Sequence, residues 1–452
     1  MSFVALLLLA HVSAAPSTEA EDLDPPAYVY LTWARDDTAH SINVSWRTMT
    51  QGYLGEVRYD TEPRDGDPEL YRYQAVGDSN ITPVTFRGLN GYVHHVELTG
   101  LSGSTTYYFI CGHPDYGWSE ERSFQTALET STDIRFVFGG DSRTGAPDWP
   151  EGRDNVSRAM AKFNPSFAIF DGDFIDEWDD QQEWDNWFAA AGMYWIDTEG
   201  LTIPIVPAVG NHDVRTLDYD PQTDATNYYQ QFNLPGNERW YALSWGPDLR
   251  IMVLDLEVTE GSAAYQEQLG WLDNELIASE DYSWKIVVLH RDMVSSRGPV
   301  QSLVRDLAFY FDKYHVDLVL TSHFHVYERS HPLNWTMAPE EIVPPEEGTI
   351  YIVSGGWGAP LYTGENEWFS AFGPEAQYHF VLIDVFEDGT LHIRAVGVDG
   401  ETFDEYPPEK VPDGPGAPIV PISAVVVVAV IGALFFLKWR SRMGTHHIAR
   451  SP

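Results

Sequence analysis

IRFVFGGDSR, residues 134–143, is a run of β-branched and aromatic side chains that stops at two glycines, an aspartate, a serine and an arginine. Four more stretches share its form. FAIFDGD (167–173), IPIVPAVGNHD (203–213), WKIVVLH (284–290) and VDLVLTSHFH (316–325) each pass from an apolar run into residues able to bind a metal. Short apolar runs of this kind read as strands buried on both faces, as in the parallel sheets of α/β proteins. The carboxyl ends of such strands converge on one crevice. The five endings would then bring together Asp141, Asp173, Asn211, His212, Asp213, His290, His323 and His325. Carboxylate, carboxamide and imidazole in one place are the donors that a pair of metal ions needs for phosphoester hydrolysis. Taken singly, each ending also fits a plain turn or a core histidine. Taken together, they point to two-metal chemistry.

The words GNHD (210–213) and SHFHVYERS (322–330), their order, and QLGWLDNEL (268–276) ahead of VVLH resemble the calcineurin-like metallophosphoesterases. More narrowly they resemble the purple acid phosphatase branch, over residues 26–405. The resemblance implies a four-layer α/β/β/α sandwich and two divalent or trivalent metal ions, Fe, Mn or Zn. It places Asp141, Asp173 and His325 on the first metal, and Asp173, Asn211, His290 and His323 on the second, with Asp173 bridging. His212 then faces the substrate, where it protonates the leaving oxygen or binds phosphate, and Asp213 orients it. A hydroxide attacks phosphorus in line.

Two positions depart from the pattern. The branch has a tyrosine ligand three residues after the bridging Asp, the source of its colour, and here that residue is Asp176. Other calcineurin-like enzymes have a His two residues after the first Asp, and here that residue is Arg143. Asp176 either gives the first metal a hard oxygen or caps the helix that follows. Arg143 stays protonated and cannot bind a metal. It either grips a phosphate bidentately or makes a structural salt bridge.

Ahead of the metal-binding part, residues 26–128 show short alternating runs parted by turn residues, the pattern of a β-sandwich. HHVELTGLSGSTTYYFICG (94–112) resembles a fibronectin type III-like domain, with Leu101 as its hydrophobic plug and Tyr107 as its corner tyrosine. Residues 133–405 alternate strands with helical patterns at 152–163, 181–191, 263–279 and 298–314. Trp184 and Trp187 share one helix face, which suits either a core stripe or a stacking platform for a nucleobase.

The chain ends carry further signals. VALLLLAHVSAAPS near the start reads as a signal peptide, residues 1–15. A Pro-rich stalk, 406–418, leads to an uncharged apolar stretch, Ile419 to Leu437, long enough for a transmembrane helix. Lys438, Arg440 and Arg442 follow, which puts the tail 438–452 in the cytoplasm and predicts a type I, single-pass protein of the cell membrane. Sequons at Asn43, Asn80, Asn155 and Asn334 agree with export. A lone cysteine, Cys111, excludes an internal disulfide and reads as a small buried hydrophobe. With 68 acidic against 27 basic side chains, the net charge of −41 argues against nucleic-acid binding. The expectation is a membrane-tethered hydrolase acting outside the cell on a small-molecule phosphate monoester. A nucleotide diester or pyrophosphate substrate, and a catalytically lapsed adhesion protein, stay open.

Overall fold

The computed structural model describes residues 24–49, 54–77, 82–86, 89–143, 150–336, 341–344 and 348–407. The runs that open the metal-binding segments become strands. Ile134–Gly139, Ala168–Asp171 and Ile205–Ala208 pair in parallel. Leu249–Val253, Trp284–Val288, Leu318–Thr321 and Ile350–Ser354 form a second parallel set. Antiparallel strands extend the first set to a six-stranded sheet and the second to a seven-stranded one.

Side-chain alternation decides what each sheet face touches. In the seven-stranded sheet, Ile251, Val253, Ile286, Val288, Leu318, Leu320, Ile350 and Ile352 share one core with Phe136 and Phe138 of the other sheet. Their neighbours Met252, Val287, Val319 and Tyr351 turn the other way, onto Leu269, Leu272, Leu307 and Phe311. Those four lie on Ala263–Ala278 and on the helical run from Gln301–Leu303 through Val304–Ala308 to Phe309–Tyr314. The middle piece of that run is a π-helical turn, which the 3.6-residue pattern does not reveal. Helices Pro150–Ala161 and Gln181–Tyr194 lie beyond the first sheet, bringing Met160, Trp184 and Trp187 into its core. Helix, sheet, sheet and helix are therefore stacked in that order. The closing strands divide between the sheets. Ile350–Ser354 joins the second, while His379–Val385 returns antiparallel to Ile134–Gly139 and brings Leu391–Gly397 with it.

Residues of the N-terminal part form two antiparallel sheets. Leu101 is buried, and the Tyr107 hydroxyl accepts the Ser102 amide at 2.9 Å, as a corner tyrosine should. Cys111 is fully buried, and burial pushes its thiol up to about 12. This sandwich and the α/β layers belong to one compact unit through Pro407. Tyr30 stacks on Phe188 at 4.2 Å, and Trp33 meets Trp245 edge-on at 5.6 Å.

Of the two readings of Trp184 and Trp187, the core stripe is the one found: both are at most 1% exposed. Two expectations need correction. Asn43 is not a glycosylation site: it is fully buried, and its side chain bonds Thr32, Ser45 and Asn233. The type I membrane placement is also withdrawn. No helix among the described residues is long and apolar enough to cross a membrane. The signal peptide, most of the stalk, the apolar stretch 419–437 and the tail lie outside the described residues, as does Asn80.

Glu328, in strand Tyr327–Ser330, holds the loop that follows His290. Its carboxyl accepts the Ser296 amide at 2.6 Å and also the Ser296 hydroxyl. Burial lifts its pKa from 4.5 to about 7, with Asp292 and Glu367 adding to the rise. The folded state then binds the proton more tightly than the unfolded chain. The stabilisation is full below 4.5 and is lost as pH rises through about 7. Glu328→Gln should flatten that loss, gaining about 1–3 kcal/mol on wild type between about pH 5 and about pH 8. Thermal unfolding of both proteins at the two pH values checks this.

Candidate metal centre

The five strand ends deliver their side chains to one place, and the backbone bends sharply to do so. Asp141, Asp173 and His323 all have positive φ, at 60°, 52° and 65°. A non-glycine residue there is uncommon and costs energy, so the surroundings must hold it. The Asp141 amide donates to Gly172 O at 3.1 Å, and the Ser142 amide to Asp173 O at 3.1 Å. Trp187 Nε1 bonds Ser142 Oγ at 3.0 Å, tying helix Gln181–Tyr194 to the same turn. Gly172 and Gly210 face each other so closely that a Cβ on Gly172 would lie 2.6 Å from the Gly210 backbone.

Asp213 does the most to fix these bends. Its carboxyl is fully buried and accepts the amides of Asp173 at 2.9 Å, Phe174 at 3.0 Å and Gly210 at 2.8 Å. This corrects its expected role of orienting His212. The imidazole of His212 is held instead by the Asp176 carbonyl, which accepts from Nδ1 at 2.7 Å. Nε2 of His212 is thereby the nitrogen left for the cavity, 4.0 Å from Asp173 Oδ2.

The remaining histidines show what the site is built to take. His290 Nδ1 donates to Asp171 O and His325 Nδ1 to Pro360 O, each at 2.7 Å. In the neutral ring, Nε2 is then a lone pair. Yet His290 Nε2 lies 3.2 Å from both Asp173 Oδ1 and Asn211 Oδ1, and His325 Nε2 lies 3.2 Å from Asp141 Oδ1. Acceptors this close need a positive charge between them, either a proton on Nε2 or a metal ion in its place. Although burial opposes it, the Asp173, Asp141 and Asp171 carboxyls raise His290 well above the usual histidine range, so without a metal its ring carries that proton. Asp141 Oδ1 is buried and has no hydrogen-bond partner. Donor atoms of Asp173, His290 and His323 lie within 4.8 Å of one another. The donors fit two metal positions that share Asp173. Burial, reinforced by the neighbouring His290, brings His323 down to about 3, so its ring is neutral and its lone pair free. Burial alone would raise the Asp173 carboxyl, but His290 and His212 outweigh it and hold that carboxyl well below the usual range.

All ten residues expected at the site lie in or beside it, but Arg143 and Asp176 are paired with each other. Arg143 Nη1 donates to Asp176 Oδ1 at 2.9 Å, and its Nε lies 3.4 Å from Asp173 Oδ2. Asp176 does not cap the next helix. Asp180 does, accepting from Gln182 and Glu183. Two residues escaped the sequence reading. Arg297 and Tyr362 line a cavity of about 330 Å³ with Arg143, Asp173, Asn211, His212, His323 and Phe324. Tyr362 stacks on His325 at 4.3 Å, and the Arg297 guanidinium lies over the Phe324 ring. Neither sits at a strand end, so neither carried a spacing signal. Among the described residues, none that lines this cavity comes from the N-terminal sandwich.

Fold and donors together make a centre suited to two metal ions. Residues 134–327 match the model of the calcineurin-like phosphoesterases, and residues 26–126 that of the purple acid phosphatase N-terminal domain. The chain thus carries a calcineurin-like phosphoesterase domain behind a purple acid phosphatase N-terminal domain. An uncharacterized protein of Mycobacterium tuberculosis is 26% identical over 378 residues, 73% of this chain and 66% of that one. The chain thus spans just under two thirds of that relative. Phosphoenolpyruvate phosphatase of Allium cepa is 25% identical over 388 residues, 79% of this chain and 76% of that one. In fold, the chain resembles a purple acid phosphatase from yellow lupin seeds. The TM-score is 0.69 at 20% identity, covering 84% of this chain and 74% of the other.

Asp213→Asn should destabilise the protein by about 2–4 kcal/mol, because one amide group cannot accept three buried N–H donors. Metal affinity should fall with it. A catalytic role would instead lower kcat with stability intact, so paired unfolding and kinetic measurements separate the two.

Proposed function

We propose that the protein hydrolyses phosphate monoesters of small molecules. The observation that carries this is the convergence of Asp141, Asp173, Asn211, His290, His323 and His325 beside an open cavity of about 330 Å³. These residues would hold two metal ions, which would supply Lewis-acid charge at the phosphoryl oxygens and acidify water. The protein's own groups do the rest. His212, with Nδ1–H fixed on the Asp176 carbonyl, presents Nε2 as the atom that gives a proton to the leaving oxygen. Arg297 stands at the rim with 53% of its side chain exposed and, among the described residues, Asp292 as its one carboxylate partner, at 3.7 Å. Its guanidinium is free to meet an anionic group of the substrate. Tyr362 and Phe324 wall the cavity.

With Trp184 and Trp187 buried in the core, neither offers a nucleobase platform, which favours a small monoester over a nucleotide diester. A lapsed adhesion protein has no need for six converging donors.

A panel of monoesters, diesters and pyrophosphate, offered to chain loaded with Mn²⁺, Zn²⁺ or iron, tests the proposal. Monoesters should turn over fastest, and faster turnover of diesters would overturn it. His212→Ala should lower kcat by roughly 10²–10⁴-fold while metal content, read by elemental analysis, stays at the wild-type level. Equal loss of metal would make His212 a ligand. Arg297→Ala should raise KM about tenfold and leave kcat within about twofold, as expected for a contact made equally in ground and transition states.

A further inference from the structure

The two metal positions are not equivalent, and the difference lies in Arg143. Around the second position, His290 Nε2 lies 3.2 Å from both Asp173 Oδ1 and Asn211 Oδ1, with His323 beside them and His212 Nε2 4.0 Å from the other oxygen of Asp173. The first position has Asp141 Oδ1 and His325 Nε2, 3.2 Å apart, and Asp173 Oδ2. The guanidinium of Arg143 reaches into the donors of this first position. Its Nε is 3.4 Å from Asp173 Oδ2 and its Nη2 is 3.5 Å from His325 Nε2, while Nη1 is anchored on Asp176 Oδ1 at 2.9 Å. Arg143 Nε is buried and finds no hydrogen-bond partner, so it stands near the bridging carboxylate as a charge. The two residues that depart from the family pattern, Arg143 and Asp176, thus form one unit. That unit puts a fixed positive charge among the first position's donors.

A guanidinium cannot lose its proton to make way for a metal. An ion and Arg143 would compete for the same Asp173 oxygen at short range, where like charges repel strongly. We propose that Arg143 is the resident cation of the first position. The second position then fills first, and the first fills only as Arg143 leaves Asp173 and turns into the cavity that it already lines. This rests on the reading of two metal positions sharing Asp173, but not on any substrate.

Calorimetric titration of the metal-stripped full chain with Mn²⁺, with bound metal counted by elemental analysis, tests the inference without turnover. Wild type should bind two ions in two steps whose affinities differ by about 100-fold or more, as expected when one site must displace a charge. Arg143→Gln removes the charge and keeps a bond to Asp176, so it should tighten the weak step at least about tenfold and leave the strong step unchanged. Arg143→Lys keeps the charge and should keep the gap, and it also covers the case in which the glutamine variant does not fold. A single step with equal affinities in wild type would overturn the inference. So would a gap unchanged in Arg143→Gln, or a gap closed in Arg143→Lys. Equal tight binding of two ions, with monoesters still hydrolysed, would sink this inference and spare the proposed function. Absence of any binding would sink both.

Discussion

The structure depends on one buried carboxyl. Asp213 accepts three backbone amides, two from the turn after Ala168–Asp171 and one from the turn after Ile205–Ala208. Those turns carry Asp173 and Asn211, so one side chain sets the spacing of two donor loops. Without such acceptors the buried N–H groups would be unsatisfied, and the positive φ at Asp173 would have nothing to hold it. The neighbouring glycines make the same demand from the steric side, since no Cβ fits where Gly172 and Gly210 meet.

Around this fixed point the site is preorganised by backbone carbonyls more than by other side chains. Asp171 O holds His290, Pro360 O holds His325, and Asp176 O holds His212. Each bond selects the tautomer that aims Nε2 inward. A carbonyl does this without adding charge, which matters in a crevice already crowded with carboxyls. The layers behind the turns keep them in place. Ser142 is pinned by Trp187, and that helix packs on Tyr30 of the N-terminal sandwich through Phe188. The sandwich therefore supports the centre from behind, and none of its described residues lines the cavity.

Much of this was legible in the residues alone. The strands that lead into the donors are short, apolar and rich in β-branched side chains, and a parallel sheet has to gather their ends. Order and chemistry then sufficed to expect Asp141, Asp173, Asn211, His290, His323 and His325 in one crevice, and the fold gathers them there. What misled was proximity in sequence. Asp213 adjoins His212 and was expected to serve it, yet in the turn after Ile205–Ala208 its carboxyl faces the backbone of another loop. Asp176 precedes a helix and could have capped it, but Asp180 stands four residues nearer the helix start and does so.

The sequence by itself determined the sheet-ending turns, the donor types and the order in which they meet, because strand pairing and burial follow from local side-chain pattern. Only the tertiary structure decided how polar side chains are shared between loops distant in sequence. That Arg143 pairs with Asp176 and Asp173, that Asp213 braces two turns, and that Arg297 and Tyr362 come to the rim all depend on which partner lies within about 3 Å. A hydrogen bond or ion pair has no periodicity along the chain, so it leaves no pattern to read before the loops are brought together.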